Sequence, residues 1–490
     1  MPAGFSASDF YYLLPEFVLA AVAMVVLVAD VFVPRARASV LAWISLAGIV
    51  ATLLALVPAA GVQMTIARGM VAIDGFSLFF QTLFLLAAGL TILTSIRYLQ
   101  IEGARAGTFF FLILCATLGM MFMAAGSDLI TIFIGLETMA ISFYVLAGFL
   151  KPSPRSNEAA VKYFLLGTFS LGLLLYGMSI LYGLSGTTNL GEIAGVLASE
   201  ERSRWVVLAV ILVAAGVAFK IAAVPFHMWA PDVYEGAPTP IAGFLSVGSK
   251  AASFAMLLRI FVQGLPSLNA DWRLLFYVLS VMTMTVGNIA ALTQSNVKRM
   301  LAYSSIAHAG YLLIGVVAGT PRGVTAMLVY LFIYAFMQLG AFAVVTMLRR
   351  QDVIGDELKD LSGLFARNPV AALAMLVFML SLGGIPPTAG FMGKFYLFSA
   401  AIEAGYVWLA VIGVLNSAIS LYYYFRVVVF MWIKTETIGS RAVVNPAMAV
   451  ALTLALAGTL FFGVYPRALF GFADASARTL GTLVMTVSVR

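Results

Sequence analysis

Charge, histidine and cysteine are all scarce in this chain. Of 490 residues, 2 are histidines, 1 is a cysteine, and charged side chains make up 10%. The single cysteine, Cys115, lies in an apolar stretch, which excludes a disulfide framework and a cysteine-based metal or iron–sulfur site. The two histidines, His227 and His308, are far apart and lack the helix-spanning pairing that haem ligation asks for. No glycine-rich dinucleotide or Walker phosphate loop is present. The sequence therefore predicts no cofactor on this chain, and no electron or nucleotide chemistry of its own. Scarce charge also excludes a soluble domain. With 62% hydrophobic residues and a mean hydropathy of +1.04, the composition is that of a polytopic membrane protein. The net charge of +7 does not point to nucleic acid, because the basic residues sit in short loops between apolar runs. Residues 1–10 hold no Lys or Arg, and the first apolar run is long enough to span, so the N-terminus reads as a membrane helix rather than a cleaved signal.

What is present is a series of apolar segments, each near the roughly 20 residues a crossing helix needs. They run over 9–33, 38–60, 74–97, 107–126, 128–150, 160–184, 204–224, 239–263, 272–293, 298–318, 321–348, 368–403, 405–432 and 445–465. The expected fold is an all-α polytopic membrane protein of about 14 transmembrane helices, with helices 7 and 12 broken. The polar piece 189–204 reads as a surface helix, and 351–367 as an amphipathic helix at the interface. The tail, 467–490, is weakly amphipathic and its placement stays open. One set of loops collects fifteen Lys and Arg, from Arg35 and Arg37 through Lys298, Arg299, Arg349 and Arg350 to Lys434 and Arg441; the other set collects eight, including Arg202 and Arg490. The richer side is expected to face the cytoplasm, which puts both termini on the outer face.

Five basic residues fall inside predicted helices: Lys220, Lys250, Arg259, Lys394 and Arg426. Arg259 and Arg426 lie near helix ends and are expected to reach the interface. Lys220, Lys250 and Lys394 are too central for that. Ionisable groups at membrane depth are costly and usually mark an ion or proton path. Lys220 stands in front of Pro225, which interrupts its helix, and a loop rich in aromatics and prolines follows through Phe226, His227, Trp229 and Tyr234. Such a break is tolerated only where protein or trapped water satisfies the freed backbone groups. Glu137 is the one clear intramembrane acid and the natural counter-ion of Lys220. Burial and a nearby carboxylate act on a lysine's proton affinity in opposite senses, so Lys220 can load and release a proton. A purely structural Glu137–Lys220 pair is the competing explanation, weakened because desolvation cancels much of a buried pair's attraction. Lys250 suits a downstream acceptor, and Lys394, eight residues after Pro386, an exit group. His227 and His308 can relay protons or simply pack. Tyr144, Tyr303, Ser304, Ser305, Thr388 and Tyr424 can hold waters between the charges.

The chain also repeats itself. Ser127-Asp128 is answered by Ser295-Asn296, Val224-Pro225 by Ile385-Pro386, and SKAAS before Arg259 by NSAIS before Arg426. The offsets agree to within about seven residues and imply two five-helix units, helices 4–8 and 9–13. Five is odd, so the second unit must insert upside down, as in many transporters. This divides the chain into a three-helix segment (1–106), a first repeat (107–265), a second, inverted repeat (266–435), and helix 14 with its tail (436–490).

KIAAVPFHMWAPDVYEGAPTP (220–240) and QSNVKRMLAYSSIAHAGY (294–311), with Glu in helix 5, Lys in broken helix 7, Lys in helix 8 and a charged residue in broken helix 12, resemble the antiporter-like subunits of respiratory complex I. These are related to the membrane subunits of multisubunit cation/proton antiporters. The resemblance covers nearly the whole chain. It implies a proton-translocating membrane subunit of a bacterial inner-membrane NADH:quinone oxidoreductase. Its partners would be the other antiporter-like and small membrane subunits, with lipid around them, protons as cargo and no nucleic acid. NAD, FMN, iron–sulfur clusters and quinone would belong to partner subunits. It implies Glu137 and Lys220 as the coupling pair, Lys250 as the central relay, Lys394 as the terminal site, and His308 in the relay region. The short stretch after helix 14, and Lys394 where one family member has Glu, separate the chain from two of the three related subunits. Ser305 stands where the first repeat has Glu137, and Ser417 where it has Lys250, so the second half cannot run the same charge cycle alone. A gradient-driven antiporter without redox partners is the alternative function; a scaffold whose charges only pin helices is a third.

Overall fold

The computed structural model describes residues 7–34, 37–199, 203–349, 355–433 and 445–487, with the side chains of 7, 8, 199 and 481–487 outside that description. Arg35, Arg202, Arg350, Lys434, Arg441 and Arg490, used above for orientation, lie outside the described residues. Among those described, twelve helices are long and apolar enough to cross a bilayer, from Leu14–Phe32 to Pro446–Val464. Each falls within a few residues of an expected segment. The helices at the two expected breaks are shorter. Arg204–Lys220 stops, and Trp229–Gly236 resumes after a loop; Pro369–Gly383 stops, and Ala389–Glu403 resumes. The protein is thus an all-α polytopic membrane protein, apart from one small antiparallel hairpin, Met64–Ile66 with Val71–Ile73.

Burial locates the centre. The spans Thr239–Gly264, Val297–Ala318 and Pro321–Leu348 are 100%, 94% and 94% buried over their apolar windows, whereas Leu14–Phe32 is 28% buried. The first three are therefore enclosed by protein, and Leu14–Phe32 shows most of its surface to lipid or neighbours. Thr239–Gly264 is not a uniform α-helix. Its Leu245–Ser249 and Leu258–Gly264 stretches are π-helical, on either side of Lys250–Leu257. Such wide turns often occur at functional positions.

Two of these helices begin at matching fastenings. Asp128 caps Leu129–Ala147 by accepting from the Ile130 N–H (2.8 Å), and Asn296 caps Val297–Ala318 by accepting from the Arg299 N–H (3.1 Å). Asp128 pairs with Asn189, and Asn296 with Glu357. The Leu129 N–H donates to Thr188 O and the Val297 N–H to Asp356 O; the Leu190 N–H donates to Ser127 O and the Leu358 N–H to Ser295 O. Every member of the second set lies 168 residues after its counterpart (128 to 296, 189 to 357).

Three expectations are corrected. The described part of 351–367 is not one amphipathic helix but a 3₁₀ turn, Leu358–Leu361, and a single turn, Leu364–Arg367. Gly363 between them has φ +64°, a left-handed conformation that glycine adopts without penalty and that ends a helix. The piece 189–204 does form the expected helix, Leu190–Ser199, seated on the protein by the buried Leu190, Ile193 and Leu197. Arg259 does not reach the interface. It is wholly enclosed, and its guanidinium lies 2.9 Å from the Asp74 carboxylate, which is equally enclosed. It also donates to Ala124 O (3.0 Å) and Gln263 Oε1 (3.1 Å). Arg426 likewise turns inward and donates to the carbonyls of Leu292 and Gln294. The open question of the tail is answered as far as it is described. Arg467–Val487 is a helix that buries Leu469, Ala473, Ala477 and Leu480, and Thr479 Oγ1 accepts from the Phe76 N–H at 3.0 Å.

Candidate functional site

The first break satisfies its backbone from neighbours. The Ile221 and Ala223 N–H groups donate back to Val217 O and Ala218 O, the Val224 N–H donates to Thr283 Oγ1 (3.0 Å), and Trp229 Nε1 closes the gap by donating to Phe219 O (2.9 Å). Ala222 carries the turn at φ +58°, a strained conformation for a residue with a Cβ. Lys220 ends the helix in front of this turn and is 4% exposed. Among the described residues its Nζ has no hydrogen-bond partner, and it lies 5.6 Å from the Tyr144 ring centre. Glu137 is half-buried. Its Oε1 is enclosed and also without a partner. Among the described residues the two make no ion pair, but each acts electrostatically on the other. Glu137 lies on a helix whose exposed residues include Ile134 and Ile141.

Lys250 follows the first π-helical turn and is 3% exposed. Its Nζ donates to Ser305 Oγ (2.6 Å) and to the Ser305 carbonyl, and the Tyr334 ring lies 5.8 Å away. One turn on from Ser305, His308 bonds Tyr330 OH through Nδ1 and Tyr424 OH through Nε2 (3.1 Å). Tyr424 also bonds Ser304 (2.6 Å). Another turn on, Tyr311 receives a hydrogen bond from Asn288 (3.1 Å) and presents its ring to Lys394 Nζ at 4.9 Å. The second break supplies the seat of Lys394. Its Nζ donates to the freed carbonyls of Leu382 (3.0 Å) and Gly383 (3.1 Å) and to Ser417 Oγ (2.8 Å). Gly384, at φ +83°, makes the turn, and a Cβ there would come within 2.9 Å of Lys394 Cδ.

The structure thus brings Lys250, Ser305, His308 and Lys394 onto one helix-centred file, with Ser304 and Tyr424 beside it. Glu137 and Lys220 act on each other electrostatically and, among the described residues, make no hydrogen bond to this file. His227 is half-buried in the break with its Nδ1 unpartnered, and it makes no bond to the file; Tyr303 and Thr388 make none either. Several polar groups were missed from sequence. Asn288, Tyr311, Tyr330, Tyr334 and Gln338 are buried among apolar neighbours, and neither polar atom of the Gln338 amide has a partner among the described residues. Buried polar atoms left over in this way are where ordered water is usually held. Enclosed acids were missed too, among them Asp74, Asp356 and Glu16. Glu16 is 4% exposed and bonds Gln81 at 2.8 Å. It lies in the first apolar run, where one acid near a helix start gives no signal.

A helical membrane protein with cations and hydroxyls filed through its enclosed centre is of the ion-handling class. Comparisons with known proteins narrow the class. The chain belongs to the NADH:quinone oxidoreductase/Mrp antiporter transmembrane family, whose model matches residues 126–420. It is 48% identical to NADH-quinone oxidoreductase subunit N of Trichlorobacter lovleyi, over 97% of this chain and 98% of that one. It is also similar to a chain of respiratory complex I from Thermus thermophilus with bound aureothin (32% identity, TM-score 0.80, 93% of this chain and 98% of that one). A third similarity is to a chain of an archaeal membrane-bound sulfane sulfur reductase (25% identity, TM-score 0.85, 97% and 99%).

Proposed function

We propose that this chain is a proton-translocating membrane subunit of a bacterial NADH:quinone oxidoreductase, working beside the other membrane subunits of that complex. NAD, FMN, iron–sulfur clusters and quinone belong to the partners, and this chain carries the protons. The observation that carries the reading is the set of three enclosed lysines. Lys220, Lys250 and Lys394 are 4%, 3% and 4% exposed, and among the described residues none has a carboxylate at ion-pair distance. A scaffold gains nothing from three unpaired buried cations, which are expensive in hydrocarbon. A proton carrier needs groups that can be either charged or neutral.

In this reading Glu137 and Lys220 form the coupling pair. Work done elsewhere in the complex moves charge near the Glu137 flank, alters its hold on Lys220, and the proton passes to Lys250 and on through the His308–tyrosine cluster to Lys394. His227 assists at the first break. Moving one charge across 100 mV takes about 2.3 kcal/mol, and a two-unit change in pKa is worth about 2.7 kcal/mol, so a modest change of pairing suffices. The twelve long spans plus the two broken ones make fourteen crossings, and the recurrent fastenings at Asp128 and Asn296 favour two inverted five-helix repeats within 107–265 and 266–435, flanked by 1–106 and 436–490. Both termini then face outward from the bacterial plasma membrane. A gradient-driven antiporter without redox partners has no observation of its own in its favour.

The test is Lys220→Ala in the assembled complex in inverted membrane vesicles. Subunit content should persist while NADH-driven proton uptake falls. Normal uptake with the complex intact would refute the coupling role. Exchanging Na⁺ for choline should leave uptake unchanged; a requirement for Na⁺ would favour cation exchange.

A further inference from the structure

Away from the file of lysines, a polar cavity of about 330 Å³ opens beside the start of the Val297–Ala318 helix, lined among others by Glu102, Arg155, Glu235, Lys298, Arg349 and Asp356. Three of these six charges are tied up in tight pairs. Arg349 pairs with Glu102, and Glu235 receives Arg299 at 3.0 Å. The floor is different. Lys298 Nζ and Asp356 Oδ2 stand 3.4 Å apart with side chains only 4% and 7% exposed, a loose pair by the standard of charge-assisted hydrogen bonds. Lys298 has a second acceptor in Ala237 O at 2.8 Å, so it keeps a partner if Asp356 is neutralised. Asp356 is held in place by its backbone: its carbonyl accepts from the Val297 N–H (2.6 Å), and Gly355 before it turns at φ +78°. Its carboxyl can therefore change charge without the segment letting go. Burial pushes the Asp356 carboxyl above the usual carboxylate range, opposed by Lys298 and Arg349 and reinforced by nearby Asp360. Tyr234, next to Glu235 of the lining on the Trp229–Gly236 helix, is 2% exposed and stands beside Ser305, the residue that receives Lys250. Ser305 itself is two helical turns from Lys298 on the same helix.

We propose that Lys298 and Asp356 form the proton-uptake gate of this chain, with the charged cavity as its water-filled antechamber. The proposal rests on the proton-carrier reading above and adds where the proton comes in. A proton from water in the cavity binds the Asp356 carboxylate, which cancels its attraction for Lys298. The Lys298 ammonium stays on Ala237 O, and the floor loosens. The proton then leaves Asp356 for an unprotonated Lys250 by way of Tyr234 and Ser305. Asp356 recovers its negative charge and the pair closes behind it. One proton enters and one is stored, and no other bond is made or broken. The carboxyl is the switching member because burial raises its affinity for a proton, and Lys298 keeps Ala237 O as an acceptor when that proton binds.

The experiment compares wild type, Asp356→Asn, Asp356→Glu and Lys220→Ala in the intact complex in inverted vesicles, following NADH oxidation and proton uptake between pH 6 and 9. Loss of a proton-transfer group of this kind typically costs about 100-fold, so uptake in Asp356→Asn should fall at least about tenfold at unchanged subunit content. Its residual uptake should lose the alkaline fall-off of the wild type, and Asp356→Glu should restore both rate and profile. A merely structural carboxylate would shift content or heat stability but leave the pH profile alone. If Lys220→Ala abolishes uptake while Asp356→Asn pumps normally, the gate is wrong and the carrier reading stands. If both pump normally, the carrier reading itself is wrong. Should Asp356→Asn fail to assemble, Arg155→Cys, exposed at the cavity mouth, can be labelled in the assembled complex with a bulky impermeant thiol reagent. Uptake blocked by the label supports the gate, and uptake unaffected by it overturns it.

Discussion

Replacing Arg259 by methionine should loosen the start of the Gly75–Glu102 helix far more than any surface change could. Arg259 and Asp74 are both fully enclosed, and the guanidinium also lies 4.7 Å from the Phe76 ring centre. Removing one member leaves the other charge without its partner in a low-dielectric interior. Breaking a buried pair in this way costs about 3–5 kcal/mol. Asp74 keeps one bond, the Ser77 N–H at 2.7 Å, which places the expected cost at the lower end, about 3 kcal/mol. At roughly 1.4 kcal/mol per factor of ten, that is more than about a hundredfold in local opening. The assay is hydrogen exchange of the Phe76 and Ser77 amides in the assembled complex, since both bonds, to Thr479 Oγ1 and to Asp74 Oδ1, end at this joint. Adding Asp74→Asn should recover at least half of the lost protection, because the amide retains a cap oxygen and the stranded charge is gone. Unchanged exchange in Arg259→Met, or a double variant no better than the single, would refute the argument.

Further outcomes are expected elsewhere. Gly384→Ala puts a Cβ at φ +83° and against Lys394; strain of about 1–3 kcal/mol should lower the complex's melting temperature and slow proton uptake together. Tyr424→Phe strands Ser304 and His308 Nε2, at about 1–3 kcal/mol for each buried group left unsatisfied, and uptake should slow while NADH oxidation by artificial acceptors is unaffected. Asp232 carries the pH prediction. Burial pushes its carboxyl up, but hydrogen bonds from Lys162 and Arg299 outweigh this and hold it below the usual range. A depressed carboxyl stabilises above its unfolded pKa and loses that contribution as pH falls, so exchange of the Trp229–Gly236 amides should rise below about pH 4 and not between pH 6 and 8.

The membrane crossings were legible because hydrocarbon demands long apolar runs, and the breaks because Pro225 and Pro386 interrupt two of them. The lysines stood out for the same reason: against a background of 10% charge, each one is conspicuous. What could not be read was which charge meets which. Arg259 and Arg426 share a repeat position and looked like interface residues, yet one finds an acid and the other two carbonyls. Asp74 is 185 residues from Arg259, and nothing in either local sequence announces the other. The hairpin at 64–73 escaped because its strands are three residues each, too short for an alternation to register. The interfacial helix over 351–367 failed because charge pattern was given more weight than Gly363. The tyrosines around His308 were hidden by their abundance, since 19 tyrosines at helix contacts give no clue to the few that converge.

The seat of Lys394 has a consequence for how this protein can vary. Two of its three acceptors are the main-chain oxygens of Leu382 and Gly383, and no substitution can delete a carbonyl. Every neighbouring side chain can drift and the place for a cation persists, so long as Gly384 keeps the turn. Ser417 is therefore expendable in a way that Gly384 is not. Across distant relatives the durable feature should be the bent backbone, and the identity of the side chain reaching into it the part that is free to change.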